Sequence, residues 1–365
     1  MKFRASRDEL SRAIGIAQRA VPSKSTISIL YTIMIDTTDG TIAMTGNNVE
    51  LGIKTSAVGF IEEPGRVCLD ARMFSEIIRK FPNDDITIET DADNKATIKC
   101  RKSVFHIAGK SADDFTQLPT VKSGNEIVIG QSQLKRIIQQ TIFSLSVNDS
   151  NRMMTGAYLT VTDNRLRIIA LDGHRIAIRQ IELETPHDNC EAIIPGKTLT
   201  EISRILSDDP ESKVSISITN NHALFEFGGT TAVSSLISGN YFAVDKMLTD
   251  DFKTVIRADK AHLIGSADRS MLFTSESDKR PVVLDITDDN MNMKIQSAIG
   301  SMSDDIPIEH DGEDLRIGVN PKFLLDVLKV IDEDDVSMYF ISQSTPMFIR
   351  DSDRSYIYMI LPVSL

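Results

Sequence analysis

Paired aspartates are the residues of this sequence whose type and spacing could do chemistry. The candidates are the Asp-Asp pairs at 84–85, 208–209, 288–289 and 334–335, because paired carboxylates can hold the divalent metals of nucleases and phosphoesterases. Each pair follows a predicted helix or lies inside a predicted hairpin, where aspartate is favoured because of the backbone. A metal-dependent nuclease or phosphoesterase is therefore the alternative function, although turn formation explains the pairs more simply.

Motifs for other catalytic chemistry are missing from the sequence. It contains no Walker-type glycine loop, no Gly-x-Ser-x-Gly elbow and no His-Glu-x-x-His. Cys68, Cys100 and Cys190 are odd in number and lack metal-site spacing, which suits a reducing cytoplasm. No signal-peptide core follows Met1, and no apolar stretch reaches the ~20 residues that span a bilayer. We therefore predict a cytoplasmic protein that is not an enzyme, with no catalytic residues, no metal and no cofactor.

Charge is distributed unevenly along the chain. The net charge is −12, but six predicted helix windows together carry +7, which leaves −19 for the remainder. The windows are 6–20, 71–81, 131–146, 196–206, 258–272 and 321–331. Lysine and arginine are good helix formers, which is one explanation, but glutamate is equally good and is scarce there. A basic helical surface on an acidic body is the sharper interpretation.

Those helices recur in a repeated pattern. A strand running into a helix, followed by an acidic turn and another strand, starts at 66, 191 and 315, with spacings of 125 and 124 residues. A second strand–helix pattern starts at 3, 127 and 255, with spacings of 124 and 128. Ser6 with Glu9 fits a capping box, and Asn320 before Pro321 fits a helix N-cap. Because both patterns repeat at nearly the same interval, they predict tandem copies of one domain.

The repeat defines a fold class and domain boundaries. We predict an α+β protein of three domains, at residues 1–120, 125–245 and 250–365, with antiparallel sheets outside and helices on one face. Predicted strands of the first copy include 29–35, 41–45, 51–56, 57–61, 86–90, 96–100 and 104–108. Residues 111–119 read as a linker with Phe115 and Leu118 as apolar anchors, and 240–251 as a second linker.

Several short stretches, in order and within the triple repeat, resemble the β sliding clamp family, the processivity subunits of bacterial DNA polymerase III. The stretches are Met1-Lys2-Phe3, Ala112-Asp113-Asp114-Phe115, Met154-Thr155-Gly156, Asp172-Gly173-His174-Arg175, Ile193-Ile194-Pro195 and Leu361-Pro362-Val363-Ser364-Leu365. The resemblance implies a head-to-tail homodimer of three-domain chains that closes a ring. Helices would line the hole, sheets would form the outer wall, and double-stranded DNA would pass through without being read for sequence.

The resemblance also implies sites. DNA-binding residues would be Lys24, Arg72, Arg79, Lys80, Lys135, Arg136, Asn148, Arg152, Lys197 and Arg204, with Arg7, Arg12, Lys260 and Lys322 as further lining candidates. At the dimer interface, Phe105 and Ile107 of an edge strand would meet Met271 and Leu272 of the other subunit. If Phe105 is instead core, a charge there would unfold the domain.

Partner proteins would bind through an apolar cleft. By resemblance, the replicative polymerase, the clamp loader and repair proteins insert short peptide motifs containing glutamine and leucine or phenylalanine. The implied cleft residues are Met153, Met154, Leu171, Gly173, His174, Arg175, Ile176, Lys246, Met247, Asn320, Phe323, Pro346, Met359, Ile360, Leu361, Pro362 and Val363. Ile176 and Ile360 could equally be core residues. The chain departs from the family pattern at Leu171, where threonine is usual, and at Tyr241-Phe242-Ala243-Val244, which lacks a proline.

Overall fold

The computed structural model describes residues 1–119, 126–147, 150–274 and 280–365. These ranges contain six α-helices and 24 strands. The helices are α1 (Arg7–Ala17), α2 (Ala71–Lys80), α3 (Gln131–Gln139), α4 (Gly196–Ile205), α5 (Lys260–Ser270) and α6 (Pro321–Leu328). The strands are β1 (Lys2–Ser6), β2 (Thr32–Asp36), β3 (Ile42–Asn47), β4 (Leu51–Ala57), β5 (Gly59–Glu63), β6 (Arg66–Asp70), β7 (Asp85–Thr90), β8 (Lys95–Cys100), β9 (Ser103–Lys110), β10 (Glu126–Gly130), β11 (Gly156–Leu171), β12 (Arg175–Pro195), β13 (Lys213–Ile218), β14 (His222–Phe227), β15 (Thr230–Ser235), β16 (Thr254–Asp259), β17 (Val282–Thr287), β18 (Asn290–Ser297), β19 (Gly300–Pro307), β20 (Glu309–Gly312), β21 (Leu315–Val319), β22 (Asp335–Phe340), β23 (Met347–Arg350) and β24 (Tyr356–Ile360).

Capping side chains set the starts of the helices, largely as the sequence predicts. The Asn320 side chain accepts a hydrogen bond from Lys322 N at 3.0 Å, and Pro321 occupies the first turn of α6. Ser6 Oγ accepts from Glu9 N at 3.2 Å. The Glu9 carboxylate, predicted to complete a capping box, accepts from Val58 N at 3.1 Å and from the Arg12 side chain. That half of the predicted box is therefore replaced by contacts with Val58, between β4 and β5, and with Arg12 of the same helix.

The same strand pairing recurs in each predicted copy. In each, the strand before the first helix pairs antiparallel with the strand after the second helix: β1 with β7, β10 with β13, and β16 with β22. The strand before the second helix pairs with β2, β11 or β17 in turn. The prediction of a repeated antiparallel α+β domain is confirmed, whereas its residue-level boundaries stay a prediction.

Contacts divide the described chain into two compact units, residues 1–135 with 197–236, and residues 136–196 with 237–365. The first unit contains one 13-stranded sheet in the order β10-β13-β14-β15-β4-β3-β2-β6-β9-β8-β7-β1-β5. The second unit contains a seven-stranded sheet, β11-β12-β24-β23-β22-β16-β20, and a four-stranded sheet, β19-β18-β17-β21. Every pairing in these sheets is antiparallel.

Apolar side chains at helical and alternating spacing form the cores. In the first unit, Leu10 and Ile14 of α1 and Phe74 and Ile78 of α2 pack on the strands. In the second unit, α5 and α6 pack on one face of the seven-stranded sheet. No helix in the described ranges is both long and apolar enough to cross a bilayer.

The linker after the first copy is anchored as predicted, but one predicted strand is shorter. Phe115 is buried with Ile29 and Leu30, and Leu118 lies against Gly52, whose added Cβ would meet Leu118 Cδ2 at 2.1 Å. The predicted strand over 29–35 begins only at Thr32, because residues 28–31 form a turn of 3₁₀-helix that turns these apolar side chains towards Phe115. Sequence alternation alone cannot distinguish these two conformations.

Candidate peptide cleft and basic helix surfaces

One face of the seven-stranded sheet carries a separate apolar cluster, here called the cleft face. Alternate residues of a strand share a face, and the cleft face takes its buried side chains from β11, β12, β23 and β24 and from the segment after residue 240. Its buried members are Ile169, Leu171, Ile176, Ile178, Val244, Phe348 and Met359. The opposite face of the same sheet packs against α5 and α6.

Five of the predicted cleft residues meet on this face. Leu171, Ile176 and Met359 are buried in the cluster, and Met154 and Leu361 pack at its margin. Leu171, which replaces the usual threonine, therefore adds apolar surface. Ile360 is a correction: it is 1% exposed and belongs to the core on the opposite face, because neighbouring strand residues point to opposite sides.

Asp172, Gly173 and His174 form the tight connection between β11 and β12, and Arg175 is the first residue of β12. Asp172 Oδ1 accepts from His174 N at 3.0 Å and from Arg175 N at 3.2 Å. Gly173 has φ of +87°, a left-handed conformation that favours glycine. Gly173 and His174 are exposed, so the turn presents backbone and an imidazole at the margin of the cleft face.

Arg175 is buried in a network within the second unit. Its guanidinium donates to Asp172 Oδ2 at 3.1 Å, to Asp326 Oδ2 of α6 at 2.7 Å and to Phe143 O at 2.5 Å. The Phe323 ring lies 4.4 Å from its Cζ and also stacks on His174, with centroids 6.3 Å apart. The side chain predicted to contact a peptide is thus committed to internal partners. Sequence reasoning missed Asp326 and Phe143, and nothing local in the sequence marks them.

The last residues are docked, as predicted for an apolar tail. Leu361 N donates to His174 O at 2.8 Å, and Val363 N donates to Gly318 O at 2.8 Å. A Cβ on Gly318 would meet Val363 O at 2.6 Å, so the tail needs glycine at that position. Pro362 is half-buried between these anchors.

Aromatic residues replace the proline expected in the cleft wall. Tyr241 stacks on Tyr158 with ring centroids 4.9 Å apart, and Phe242 packs edge-on against Tyr241 at 5.5 Å. Tyr241 OH donates weakly to Gly156 O at 3.3 Å, and burial raises its pKa. Phe242 packs at the margin of the cleft face, so its aromatic ring occupies the wall position at which a proline was expected.

The remaining cleft predictions lie around this face at differing exposure. Met153 lies against Gly239, whose added Cβ would meet Met153 Cε at 3.0 Å. Lys246 and Met247 are exposed, the latter at 50%. Asn320 and Pro346 are half-buried, and Asn320 is engaged as the N-cap of α6. Mixed exposure of methionines and aromatics suits a surface that accepts more than one peptide.

The predicted DNA-binding residues fall into two groups. Arg72, Lys80, Lys197, Lys24 and Arg152 are exposed and have no ion pair with any described residue. The others have acidic neighbours: Arg79 pairs with Glu76 at 3.0 Å, Lys135 with Asp208 at 2.7 Å, Arg136 with Asp332, and Arg204 with Glu201 at 2.5 Å. Asn148 lies outside the described residues.

The predicted edge strand pairs along most of its length on one side only. Residues 103–108 of β9 pair with β8, and only Gly109 and Lys110 pair with β6. Phe105 is 40% exposed and packs edge-on against Phe81, while Ile107 packs on the core of the first unit. Both side chains point to the same face, as alternation predicts. Met271 is half-buried and Leu272 is 73% exposed, directly after α5.

The aspartate pairs lie in turns or at the start of the strand that follows, since Asp85 and Asp335 are the first residues of β7 and β22. Asp84 forms an ion pair with Arg101 at 2.7 Å, which holds the pKa of that carboxyl below its usual range. Asp209 accepts from Glu211 N and Ser212 Oγ within its own turn. No group of three or more His, Cys, Asp or Glu side chains with metal-site geometry occurs among the residues that the structure describes.

Tandem copies of one antiparallel domain, each with two helices, are the architecture of the DNA-clamp class. Models of the DNA polymerase III beta subunit match along the chain: the N-terminal domain at residues 1–119, the central domain at 128–242 and the C-terminal domain at 245–364. The chain belongs to the DNA polymerase III beta subunit family. Three tandem domains are thereby confirmed.

Similar proteins span the full chain. The beta sliding clamp of Bacillus subtilis is 32% identical over 376 residues, covering 100% of this chain and 99% of that protein. The crystal structure of the B. subtilis sliding clamp has a TM-score of 0.96 at 32% identity, with the same coverage. A candidate DNA polymerase III beta subunit from Eubacterium rectale has a TM-score of 0.97 at 47% identity, again covering 100% of this chain and 99% of its own.

Proposed function

We propose that two copies of this chain close a ring around duplex DNA and tether replication and repair proteins through the cleft face. Membership of the family and full-length similarity to beta sliding clamps support a clamp. The observation that carries the proposal is a strand pairing between successive domain copies, which occurs twice within the chain. One strand in the first copy and one in the third copy remain without this pairing, and a second chain could supply it.

The repeated pairing joins one domain copy to the next. The last strand of the second copy, β15, pairs with β4 of the first copy, and the last strand of the third copy, β24, pairs with the start of β12 in the second. The last strand of the first copy is β9, and the counterpart of β4 in the third copy is β19, which ends its sheet. A second copy of the chain, placed head to tail, would pair β9 with β19.

Registers of the repeated ladders specify how β9 and β19 would meet. Ala232 faces Ile53 in one existing pairing, and Tyr358 faces Ala177 in the other. All four are at most 1% exposed. The three copies can be aligned at the caps of their helices and then from strand to strand through the paired residues. In this alignment Phe105 occupies the position of Ala232 and Tyr358 in the other copies, and Met302 occupies the position of Ile53. The proposed ladder therefore sets Phe105 opposite Met302, an apolar pair, and Val104 opposite Ser303.

A cross-link tests that register. Val104→Cys with Ser303→Cys, in a Cys190→Ser background, should give a disulfide-linked dimer on mild oxidation, because directly opposite residues have Cβ atoms about 4.5–5.5 Å apart. Sedimentation before oxidation should give twice the 40.5 kDa chain mass. Val104→Cys with Met302→Cys is the matched control and should cross-link poorly, since the two side chains leave opposite faces. A monomer in both assays would refute the ring.

DNA would be held by charge and enclosure. Exposed Arg72, Lys80 and Lys197 lie on or at the start of helices and would attract phosphates without reading bases. The excess of acid in the rest of the chain would disfavour DNA on other surfaces. Lys24, Arg152 and Asn148 are proposed as contacts at one face of the ring.

Partner peptides would lie on the cleft face beside the tail. An anchor such as leucine or phenylalanine would pack on Met154, Leu171 and Met359, which already gather there. The replicative polymerase, the clamp loader and repair proteins would compete for this one surface. We propose no catalytic role for the chain, in keeping with an accessory subunit.

The alternative, metal-dependent cleavage by the aspartate pairs, has a direct test. Purified chain incubated with Mg²⁺ or Mn²⁺ and labelled duplex DNA should leave the DNA intact if the chain is a clamp. Metal-dependent cleavage that is lost in Asp208→Asn with Asp209→Asn would favour the nuclease.

A further inference from the structure

A pocket of about 620 Å³ opens beside the cleft face, and no predicted cleft residue lines it. Its walls come from β11, from β12 and from the segment 241–245. Tyr158, Arg167, Glu191, Phe242 and Asp245 are the lining residues on which its chemistry depends.

The pocket continues the cleft face along one strand. Arg167, Ile169 and Leu171 follow one another at two-residue spacing on the same face of β11. Ile169 belongs both to the pocket wall and to the cleft cluster, as do Phe242 and Val244. At about 3.4 Å per strand residue, Arg167 lies about 14 Å along the strand from Leu171. An extended peptide covers that distance in about four residues.

In the ion pair of this pocket, the carboxylate is more exposed to solvent than the guanidinium. Arg167 and Asp245 pair at 2.7 Å, but the Arg167 side chain is 20% exposed and that of Asp245 is 74% exposed. The pairing holds the pKa of Asp245 below its usual range, so that carboxylate stays ionised at neutral pH. Tyr158 OH donates to Glu191, and burial together with Glu191 raises the pKa of Tyr158 to about 12. Two carboxylates against one guanidinium leave the pocket with one excess negative charge.

We propose that this pocket receives a lysine or arginine side chain of a partner peptide, about four residues from the apolar anchor that occupies the cleft face. The proposal rests on the proposed peptide-tethering function and names the chemistry that would select among partners. The stem of the basic residue would pack on Phe242 and Tyr158, and its charged group would meet Glu191 and Asp245.

Three peptides with one shared motif of glutamine, leucine and phenylalanine test it. One carries arginine four residues from the anchor, one carries glutamate there and one carries alanine; matched sets place the residue on either side of the motif. Affinity is measured by fluorescence anisotropy at low salt. In one of the two placements, the arginine peptide should bind roughly fivefold more tightly than the alanine peptide, and the glutamate peptide more weakly than both.

Two substitutions test whether the preference for the arginine peptide comes from this pocket. Glu191→Gln keeps a group that can bond with Tyr158 but should lower the ratio of arginine-peptide to alanine-peptide affinity from roughly fivefold towards one. Asp353→Asn, an exposed acid elsewhere in the same unit, is the control and should leave the preference intact. Equal affinity of the arginine and glutamate peptides, or a preference unchanged by Glu191→Gln, overturns the pocket assignment alone. Failure of all peptides to bind overturns the peptide cleft itself, and the pocket assignment with it.

Discussion

At the scale of single residues, Arg175 connects more of the second unit than any local pattern suggests. It pairs with two carboxylates and a main-chain carbonyl while its side chain is only 7% exposed. Lys322 of α6 also contacts Asp326 Oδ2, at 3.3 Å, so one carboxylate serves both the cleft turn and a candidate DNA-lining lysine. Charged groups removed from water are stable only while such partners are complete.

Replacing Arg175 should therefore damage the unit as well as the cleft. Arg175→Met leaves Asp172 and Asp326 without their buried partner, and we expect a loss of about 3–5 kcal/mol in the free energy of unfolding. Denaturant unfolding of the second-unit transition checks this. Arg257→Met removes an exposed pair with Asp335 and should cost less than about 1 kcal/mol. Equal effects of the two substitutions would contradict the network.

Asp304 on β19 should make α5 sensitive to acid. Hydrogen bonds from Arg269 and Ser266 lower the pKa of Asp304 below its ordinary value. A lowered folded-state pKa adds stability above the unfolded pKa, near 4, and that stability is lost as pH falls through the folded value. Melting temperature measured from pH 7 to pH 2 should fall less steeply in Asp304→Asn than in the parent chain. Parallel curves would show that the contact contributes nothing.

The role of a residue could be predicted where it depends on residues close to it in the sequence. Asn320 before Pro321 marks a helix start because its cap partner is two residues away. Asp172-Gly173-His174-Arg175 marks a turn, but its partners Phe143 and Asp326 lie 32 and 151 residues away from Arg175 and follow from tertiary packing. Ile360 could not be assigned to a face until its strand was placed in a sheet.

At the scale of elements, the unpaired edge of β9 decides whether two copies can form the proposed ring. Period-two alternation is enough to predict that Phe105 and Ile107 share a face, and the repeat is enough to predict their strand. The long strands β11 and β12 were not predicted, because their polar middle parts contain turn-forming residues such as Asp163 and Asn164. Asp163 does keep a left-handed φ of +54°, and the ladder between β11 and β12 shifts register there and continues on either side.

Phe105→Glu should give a folded monomer. The ring is 40% exposed in the single chain, so a carboxylate there can reach water, whereas in the proposed ladder it would face Met302. Sedimentation and circular dichroism measure the two properties. Phe60→Glu, on exposed β5 of the same sheet, is the control and should remain dimeric. An unfolded Phe105→Glu chain would show that Phe105 is core, and a dimeric one that the ladder is misplaced.

At the scale of the whole molecule, charge is separated between helices and strands. The excess of positive charge in the helices could be predicted from the sequence because it depends only on where the helices begin and end. Which cations are available was not visible: Lys135 and Arg136 have acidic partners, whereas Arg72, Lys80 and Lys197 have none among the described residues. For Lys135 and Arg136, ion pairs with residues distant in sequence decide this.

Neutralising the unpaired cations should weaken binding of short duplex DNA. Arg72→Gln, Lys80→Gln and Lys197→Gln together remove six cations from a ring of two copies. They should lower the slope of log affinity against log salt by up to about five, since each phosphate contact contributes about 0.9. Lys54→Gln in β4, Lys95→Gln in β8 and Lys253→Gln directly before β16 change the net charge equally outside the helices, and should leave the slope nearly unchanged. Equal slopes in both variants would refute a basic helical lining.

Enclosure of DNA is tested most directly by retention on a closed circle. The chain is mixed with a linear plasmid, the ends are ligated, and unthreaded protein is removed in high salt, which suppresses phosphate contacts. A ring of two copies predicts that protein elutes with the ligated circle and is released when a restriction enzyme cuts it. Equal retention on cut and uncut DNA, or none on the ligated circle, would contradict the proposed clamp.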